Sequence, residues 1–410
     1  MEVKPGYKLT EVGVIPDDWE LRPMLSAVRI ANGQVDPKVE PYRSMILVAP
    51  DHIEEGSGRL LKTETAAAQH AISGKYLFAS GDIVYSKIRP YLRKAILANF
   101  SGLCSADMYP LKPAPSVSAG FVFALVLGHH FSRYAESVSV RSGMPKINRS
   151  ELAEYSFALP PTKAEQEAIA TALSDADALI ESLEQLLAKK RHVKQGAMQE
   201  LLTGKRRLAG FTGEWEVTRL GDVCVKIQDG THFSPVLGGN DYLYITSKNI
   251  GFGSFDISSA ERISTAEHAK IYARCDVRRG DILFTKDGAN TGNATLNPLD
   301  EPFSLLSSVA LLRFDSRRHA AAFFLYQILA PDGQQRIKEL MSGNAITRLT
   351  LKKIREMTFS VASIDEQTAI AAILSDMDTE IAALETQLAK ARQVKQGMMQ
   401  ELLTGRVRLV

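Results

Sequence analysis

The sequence predicts an α+β chain. Two mixed α/β domains with strand-rich cores alternate with two long antiparallel helices that form a coiled coil, and the whole is pseudo-two-fold symmetric. Three observations carry this expectation. Thr162–Leu208 overlies Ser363–Leu409 without a gap, a constant offset of 201 from 162 to 363, with about 60% of positions identical, far above chance within one chain. Neither copy contains a proline, and each follows roughly 160 residues of different character. Those preceding stretches are themselves related, more weakly, and punctuated like strands and turns.

The boundaries expected are a first domain over 1–161, a helix over 162–208, a second domain over 209–362 and a helix over 363–410. The domains open alike, IPDDWELRPM at 15–24 and FTGEWEVTRL at 211–220, with Trp19 and Trp215 the only tryptophans. Midway each has a turn followed by a β-branched and aromatic run, GDIVYSKI at 81–88 and GDILFTKD at 280–287, the pattern of a strand. RSGMPKINR at 141–149 and MSGNAITRL at 341–349 follow.

Each helix has a start and a stop. Thr162 and Glu165, and Ser363 and Glu366, have capping-box spacing. Pro160-Pro161 blocks extension backwards in the first copy. Both copies close on Leu-Leu-Thr-Gly, with Gly204 and Gly405 placed for a left-handed cap. About 40 residues at 1.5 Å each make about 60 Å of helix. Ile169, Leu173, Ala176, Ile180, Leu183 and Leu187 step 4-3-4-3-4, as do Ile370, Leu374, Met377, Ile381, Leu384 and Leu388. That is a narrow coiled-coil seam, which the other copy would fill. YKLTEVGVIPDDWE at 7–20 resembles KRRLAGFTGEWE at 205–216, so the cycle starts again where the first helix ends. A two-unit tandem repeat favours a pseudo-two-fold axis. Antiparallel helices would then put one domain at each end, an arrangement suited to a linear partner such as duplex DNA.

The 410 residues include 49 Lys and Arg against 47 Asp and Glu, net +2, with 45% hydrophobic and 23% charged. This is a globular composition, and a DNA-binding role would need local concentration of the basic groups. No apolar run is long enough to span a bilayer, and MEVKPGYKLTEVG has no apolar signal core. Cys104, Cys224 and Cys275 are scattered, which favours reduced thiols and a cytoplasmic setting.

In the first domain the candidate DNA contacts are Lys87, Arg89, Tyr91, Arg93 and Lys94, where Pro90 ends a strand and exposes a loop, with Arg141, Lys146 and Arg149 about the SGMP turn. In the second they are Lys286, Asn290 and Thr291 in a Gly-rich loop, then Arg348 and Lys352, with the neighbouring Lys353. Gln228, Asp229, Thr231 and His232 put short polar groups on a turn, suited to base edges or to shaping the loop. Phosphates take Lys and Arg, and base edges take shaped hydrogen-bonding groups. Lys189, Lys190, Arg191, Lys194, Lys205, Arg206 and Arg207 make the first helix end basic, for gap DNA or a partner subunit.

Several motifs occur in one order: the helix entry from Pro160 to Leu173 with Glu366-Gln367 repeating its EQ pair, the KQGxMQELLTG helix ends, GDIVYSKIRPYLRK at 81–94 and DGTHFSP at 229–235. On these the chain resembles, over essentially its whole length, the specificity subunit of type I restriction-modification systems. The resemblance implies two target-recognition domains, each reading half of a bipartite asymmetric DNA target, with the helices setting the gap. It implies two docked modification (methyltransferase) subunits that methylate adenine N6, joined by restriction (translocase-nuclease) subunits. It also implies a non-catalytic chain without cofactors, S-adenosylmethionine, ATP and Mg belonging to the partners.

No glycine-rich dinucleotide loop, GxxxxGK[ST] or [ND]PP[YF] tetrapeptide occurs, and adjacent His129-His130 point apart. The rival reading is a coiled-coil adaptor presenting two protein-binding domains, which near-neutral charge favours slightly. Gly196 and Gly397 lie inside the helices, where glycine costs about 1 kcal/mol against alanine. Either another helix approaches closely there or a duplication has kept a tolerated residue. With Met198, Leu202, Met399 and Leu403 they form the expected subunit-docking site.

Overall fold

The computed structural model describes residues 4–140, 143–341 and 348–409. The chain divides into two compact units, Met1–Glu184 with Thr386–Val410, and Gln185–Glu385. Each unit therefore combines one globular domain with parts of both long helices.

The first unit is built on a four-stranded antiparallel sheet ordered Val28–Ile30, Met108–Pro113, Ile83–Ser86, Ala95–Leu97. Its counterpart in the second unit runs Cys224–Asp229, Val309–Phe314, Ile282–Thr285, Ala294–Leu296. The GDIVYS and GDILFT runs are the third strand in each. They are continuously apolar because both faces of that strand are covered. Ile83 and Tyr85 enter the main core with Phe121 and Phe131, while Val84 points into a second cluster with Val48 and Phe78. Ile282 and Phe284 likewise face Phe323 and Phe324, and Leu283 faces Ile245 and Phe303. The aspartate of each motif closes the preceding turn. Asp82 Oδ2 accepts from the Ala79 N–H and Asp281 Oδ2 from that of Arg278, both at 2.8 Å.

The domains diverge in the smaller sheet. Both contain a parallel pair, Leu47–Val48 with Gly102–Cys104 and Leu237–Ile245 with Ser304–Leu305. The third strand joins opposite sides of it: Tyr76–Phe78 pairs with Gly102–Cys104, whereas Glu261–Ile263 pairs with Leu237–Ile245.

The two long helices are Lys163–Leu201 and Ile364–Leu402, 39 residues each, or about 58 Å. They end where Gly204 and Gly405 take φ of 69° and 70°, a left-handed conformation that glycine alone adopts without cost. At their starts Thr162 and Ser363 accept from the N–H of Glu165 and Glu366. The two glutamate side chains serve another purpose. Glu165 accepts from Arg408 Nε and Nη2 at 2.8 and 2.9 Å, and Glu366 from Arg207 Nε and Nη2 at 2.7 Å each. Beside them Gln166 and Gln367 are buried. Gln166 Oε1 accepts from the Ser118 N–H and its Nε2 donates to the Pro160 carbonyl. Gln367 does the same with Ala320 and Ala362. The EQ pair thus fastens each helix to its domain.

Within each unit the helix segments run antiparallel, joined by ion pairs. Asp177 meets Lys395 and Glu184 meets Arg392 in the first unit. Asp378 meets Lys194 and Glu385 meets Arg191 in the second. With the Glu165–Arg408 and Glu366–Arg207 pairs, each bond recurs 201 positions along with the same residue types. The cycle also closes: Tyr7 Oη donates to the Gly405 carbonyl at 3.3 Å, and Arg408 donates to Asp18 at 2.8 Å.

Two expectations change. The first seam positions do not wait for the other helix: Ile169 and Leu173 sink into the first domain's core, and Ile370 and Leu374 into the second's. An entering helix has to bury its first turns against the domain it leaves. The basic helix end is also largely neutralised, because Lys190, Arg191, Lys194 and Arg207 pair with Glu380, Glu385, Asp378 and Glu366.

Candidate nucleic-acid interface

The first and third strands of each main sheet set the site. Cys224–Asp229 and Ile282–Thr285 both pair antiparallel with Val309–Phe314, so they run parallel to one another and their C-terminal ends share one edge of the sheet. The QDGTH and KDGAN stretches emerge there together. In the first unit Val28–Ile30 and Ile83–Ser86 both pair with Met108–Pro113, bringing residues 31–35 and 87–94 to the equivalent edge. A third segment joins each edge through one bridge, Ile88 to Lys146 and Asp287 to Arg348. Three stretches far apart in sequence meet at each place.

In the second unit they are knitted by charge. Asp229 is 4% exposed, with Lys286 Nζ at 3.5 Å and His232 Nε2 at 3.2 Å. Lys286 Nζ donates to Asp287 Oδ2 at 2.9 Å, and Arg348 Nε lies 3.2 Å from Asp287 Oδ1. Arg274 Nη2 lies 3.7 Å from Asp229 Oδ1. This burial corrects one expectation. Lys286 is 1% exposed, held between two carboxylates that repay its desolvation, and it cannot reach a phosphate. Thr231 is also buried. Its hydroxyl accepts from the Phe233 N–H at 3.2 Å, so it shapes the loop and does not face a base. His232, Asn290 and Lys352 are exposed, and Gln228 and Thr291 half-buried.

In the first unit the centre is Tyr109, flanked by Lys87 Nζ at 5.4 Å and the Arg149 guanidinium at 5.7 Å from its ring. Burial raises the Tyr109 phenol above its ordinary pKa, keeping it neutral as a platform for two cations. Lys87 also donates to the Ala106 carbonyl at 2.6 Å, and Arg149 to Asn32 and the Ala31 carbonyl. Both are more constrained than solvated lysines or arginines. Arg89, Tyr91, Arg93 and Lys146 are exposed and Lys94 half-buried. Arg89 and Arg93 hold positive φ of 48° and 46° on either side of a single 3-10 turn, Pro90–Leu92, so the loop geometry is unusual and specific. Arg141 lies outside the described residues. Sequence reasoning missed Asn32, Tyr109, Arg274 and the organising role of Asp229 and Asp287, because no local pattern marks a side chain that acts across segments.

The expected docking residues are placed otherwise. Met198 and Leu202 are buried in the second unit's core, Leu403 in the first unit's, with Met399 packed against it. They serve internal packing, since a helix end landing on a domain must cover its apolar face. A Cβ on Gly196 or Gly397 would meet nothing within 4 Å, so among the described residues nothing packs against either glycine. Beside Met399 and Leu403 a cleft of about 360 Å³ opens, rimmed by Arg93, His130, Gln396 and Arg406. Its counterpart beside Met198 and Leu202 is about 190 Å³.

Two modules built on the same four-stranded sheet, each gathering loops with exposed cations at one sheet edge, define a tandem recognition protein. The family described as type I restriction modification DNA specificity domain matches residues 64–189 and 212–393. The chain belongs to that family. The specificity subunit of the type I restriction enzyme EcoDI of Escherichia coli is 30% identical over 212 residues, 51% of this chain and 46% of that protein, so the match spans about half of that relative. The MjaVIII specificity subunit of Methanocaldococcus jannaschii is 22% identical over 416 residues, 96% of this chain and 94% of that one. The crystal structure of a type I S subunit from M. genitalium superposes with a TM-score of 0.61 at 15% identity, covering 98% of each chain. A chain from a study of assembly and conformational transition in the type I R-M system gives 0.57 at 19% identity, covering 96% of this chain and 99% of that one. Among the described residues no helix is long and apolar enough to cross a membrane, and no group of His, Cys, Asp and Glu is placed to hold a metal ion.

Proposed function

We propose that this chain recognises a bipartite, asymmetric DNA sequence in the cytoplasm, one domain per half, as the specificity subunit of a type I restriction-modification complex. The observation that carries this reading is the repeat itself. The same sheet edge is built twice, with divergent loops, on helices whose ion pairs recur at 201 residues. A conserved frame with divergent tips suits a reader of two different half-sites. Backbone affinity would come from Arg89, Arg93, Lys146 and Lys352, whose exposed cations suit phosphates. Specificity would come from the constrained groups around Tyr109 and Asp229.

The helix pair would fix the gap between half-sites. Two methyltransferase subunits would dock at the helix ends, where the clefts beside Met399 and Met198 and the open space at Gly397 and Gly196 are repeated surfaces. S-adenosylmethionine would bind to those subunits, and ATP and Mg to restriction subunits. The test is exchange of residues 1–161 for the corresponding domain of a relative. One half of the methylated sequence should change and the other persist; a change in both halves refutes modular reading.

A further inference from the structure

We propose that Arg274 reads a base edge in the half-site of the second domain, with guanine the base its fork fits, and that Gln228 and Asp229 hold it in position. The proposal rests on the DNA-reading function above.

Arg274 lies two residues beyond the helix Thr265–Tyr272, at the edge where the QDGTH and KDGAN stretches meet. Its backbone is fixed at both ends: its N–H donates to the Ile271 carbonyl at 3.2 Å, and its own carbonyl accepts from Lys226 Nζ at 3.2 Å. The Gln228 amide, oriented so that its oxygen meets the guanidinium, accepts from Nε at 3.0 Å and Nη2 at 3.2 Å. That contact uses the side-on edge of the guanidinium. The end-on edge, Nη1 with the second hydrogen of Nη2, is not used by it, and Nη1 has no hydrogen-bond partner among the described residues.

Stability does not account for this arrangement. The Arg274 side chain is 62% exposed and its carboxylate partner lies 3.7 Å away, a geometry that stabilises a fold little. Asp229, by contrast, is buried and bound to Lys286 and His232, so it anchors the group to the sheet edge. A phosphate needs only a mobile cation, and Lys352 at 85% exposure supplies one nearby in sequence to Arg348. An arginine locked by one edge with its fork presented outward suits a planar acceptor pair, and guanine O6 with N7 is that pair in the major groove.

The test uses the chain assembled with its methyltransferase subunits and a set of duplexes in which each target base pair is replaced in turn, with competition affinity measured for each. In the wild type, one G·C pair of the second half-site should cost about 5- to 150-fold when replaced. Arg274→Ala should reduce that penalty to about threefold or less and leave the other positions as they were, with an unchanged thermal midpoint. Arg274→Lys should lose the same discrimination while keeping the salt slope, because charge persists without the fork. Gln228→Leu should weaken discrimination at the same base pair, and Gln228→Glu should restore it. A penalty profile unaltered in Arg274→Ala overturns the assignment. So does a uniform loss at every position with a shallower salt slope, the mark of a phosphate contact. If the wild type itself shows no sequence preference, it is the DNA-reading function that fails.

Discussion

The fastening of each long helix to its domain offers a sharp test through Gln367→Leu. The Gln367 side chain accepts from the Ala320 N–H at 2.9 Å and donates to the Ala362 carbonyl at 2.7 Å, at 1% exposure. Leucine keeps the volume and removes both bonds. Ala362 is 7% exposed, so its carbonyl loses a partner out of reach of water, which costs about 1–3 kcal/mol. Ala320 is half-buried and recovers part of its loss from solvent, adding about 1 kcal/mol. The expected destabilisation is therefore about 2–4 kcal/mol, a fall in midpoint of about 4–16 °C for a unit of this size. Denaturation followed by fluorescence separates the units, because Trp19 belongs to the first and Trp215 to the second. In a Trp19→Phe background the signal should report the full loss. A change below about 0.5 kcal/mol would refute the anchoring role, since surface substitutions commonly fall in that range.

Other expectations follow from the same geometry. Ile169→Ala should cost about 2–5 kcal/mol, because the residue is fully buried in the first core, whereas Leu179→Ala, at 55% exposure, should change stability by less than about 0.5 kcal/mol; paired denaturant titrations decide. Gly196→Ala should stabilise the isolated chain by about 1 kcal/mol, since the methyl meets open space, and a loss of stability would reveal an approach not seen in this structure. Burial lowers the pKa of both His268 and His319 in the second unit, so the folded state favours their neutral forms. The stability this contributes is present above the unfolded value of about 6.5 and is lost as pH falls below it. Titration in a Trp19→Phe background should show a decline from pH 7 to 5 that His268→Phe diminishes. Seven residues inserted into both helices, after Ala188 and after Ala389, should keep the antiparallel ion pairs in phase and lengthen the target gap by about 10 Å, or about three base pairs; an unaltered gap would exclude a ruler.

Much of the architecture was legible because repetition amplifies weak signals. The 201-residue offset located both helices, and the GD-plus-apolar runs located the third strand of each sheet. The EQ pair was visible only as a motif. Its chemistry needed Arg408 and Arg207, each more than 150 residues away, to be brought onto Glu165 and Glu366. Heptad spacing misled at Ile169 and Ile370, because helical periodicity reports that a face is buried and not what covers it. The site was half legible. Turn-forming polar and basic residues marked the loops, and they do share one sheet edge. Charge alone, however, could not tell Lys286, sealed between Asp229 and Asp287, from Lys352 in solvent. Arg274 escaped notice because it follows an ordinary helix, and its position matters only once Gln228 is seen beside it.

The most direct measurement of the central claim is a genome-wide map of methylated adenines in otherwise identical cells with and without this chain. One added sequence is expected, made of two unlike parts separated by a fixed number of unspecified bases and present only when the chain is. No added sequence, or a single uninterrupted palindrome, would contradict it.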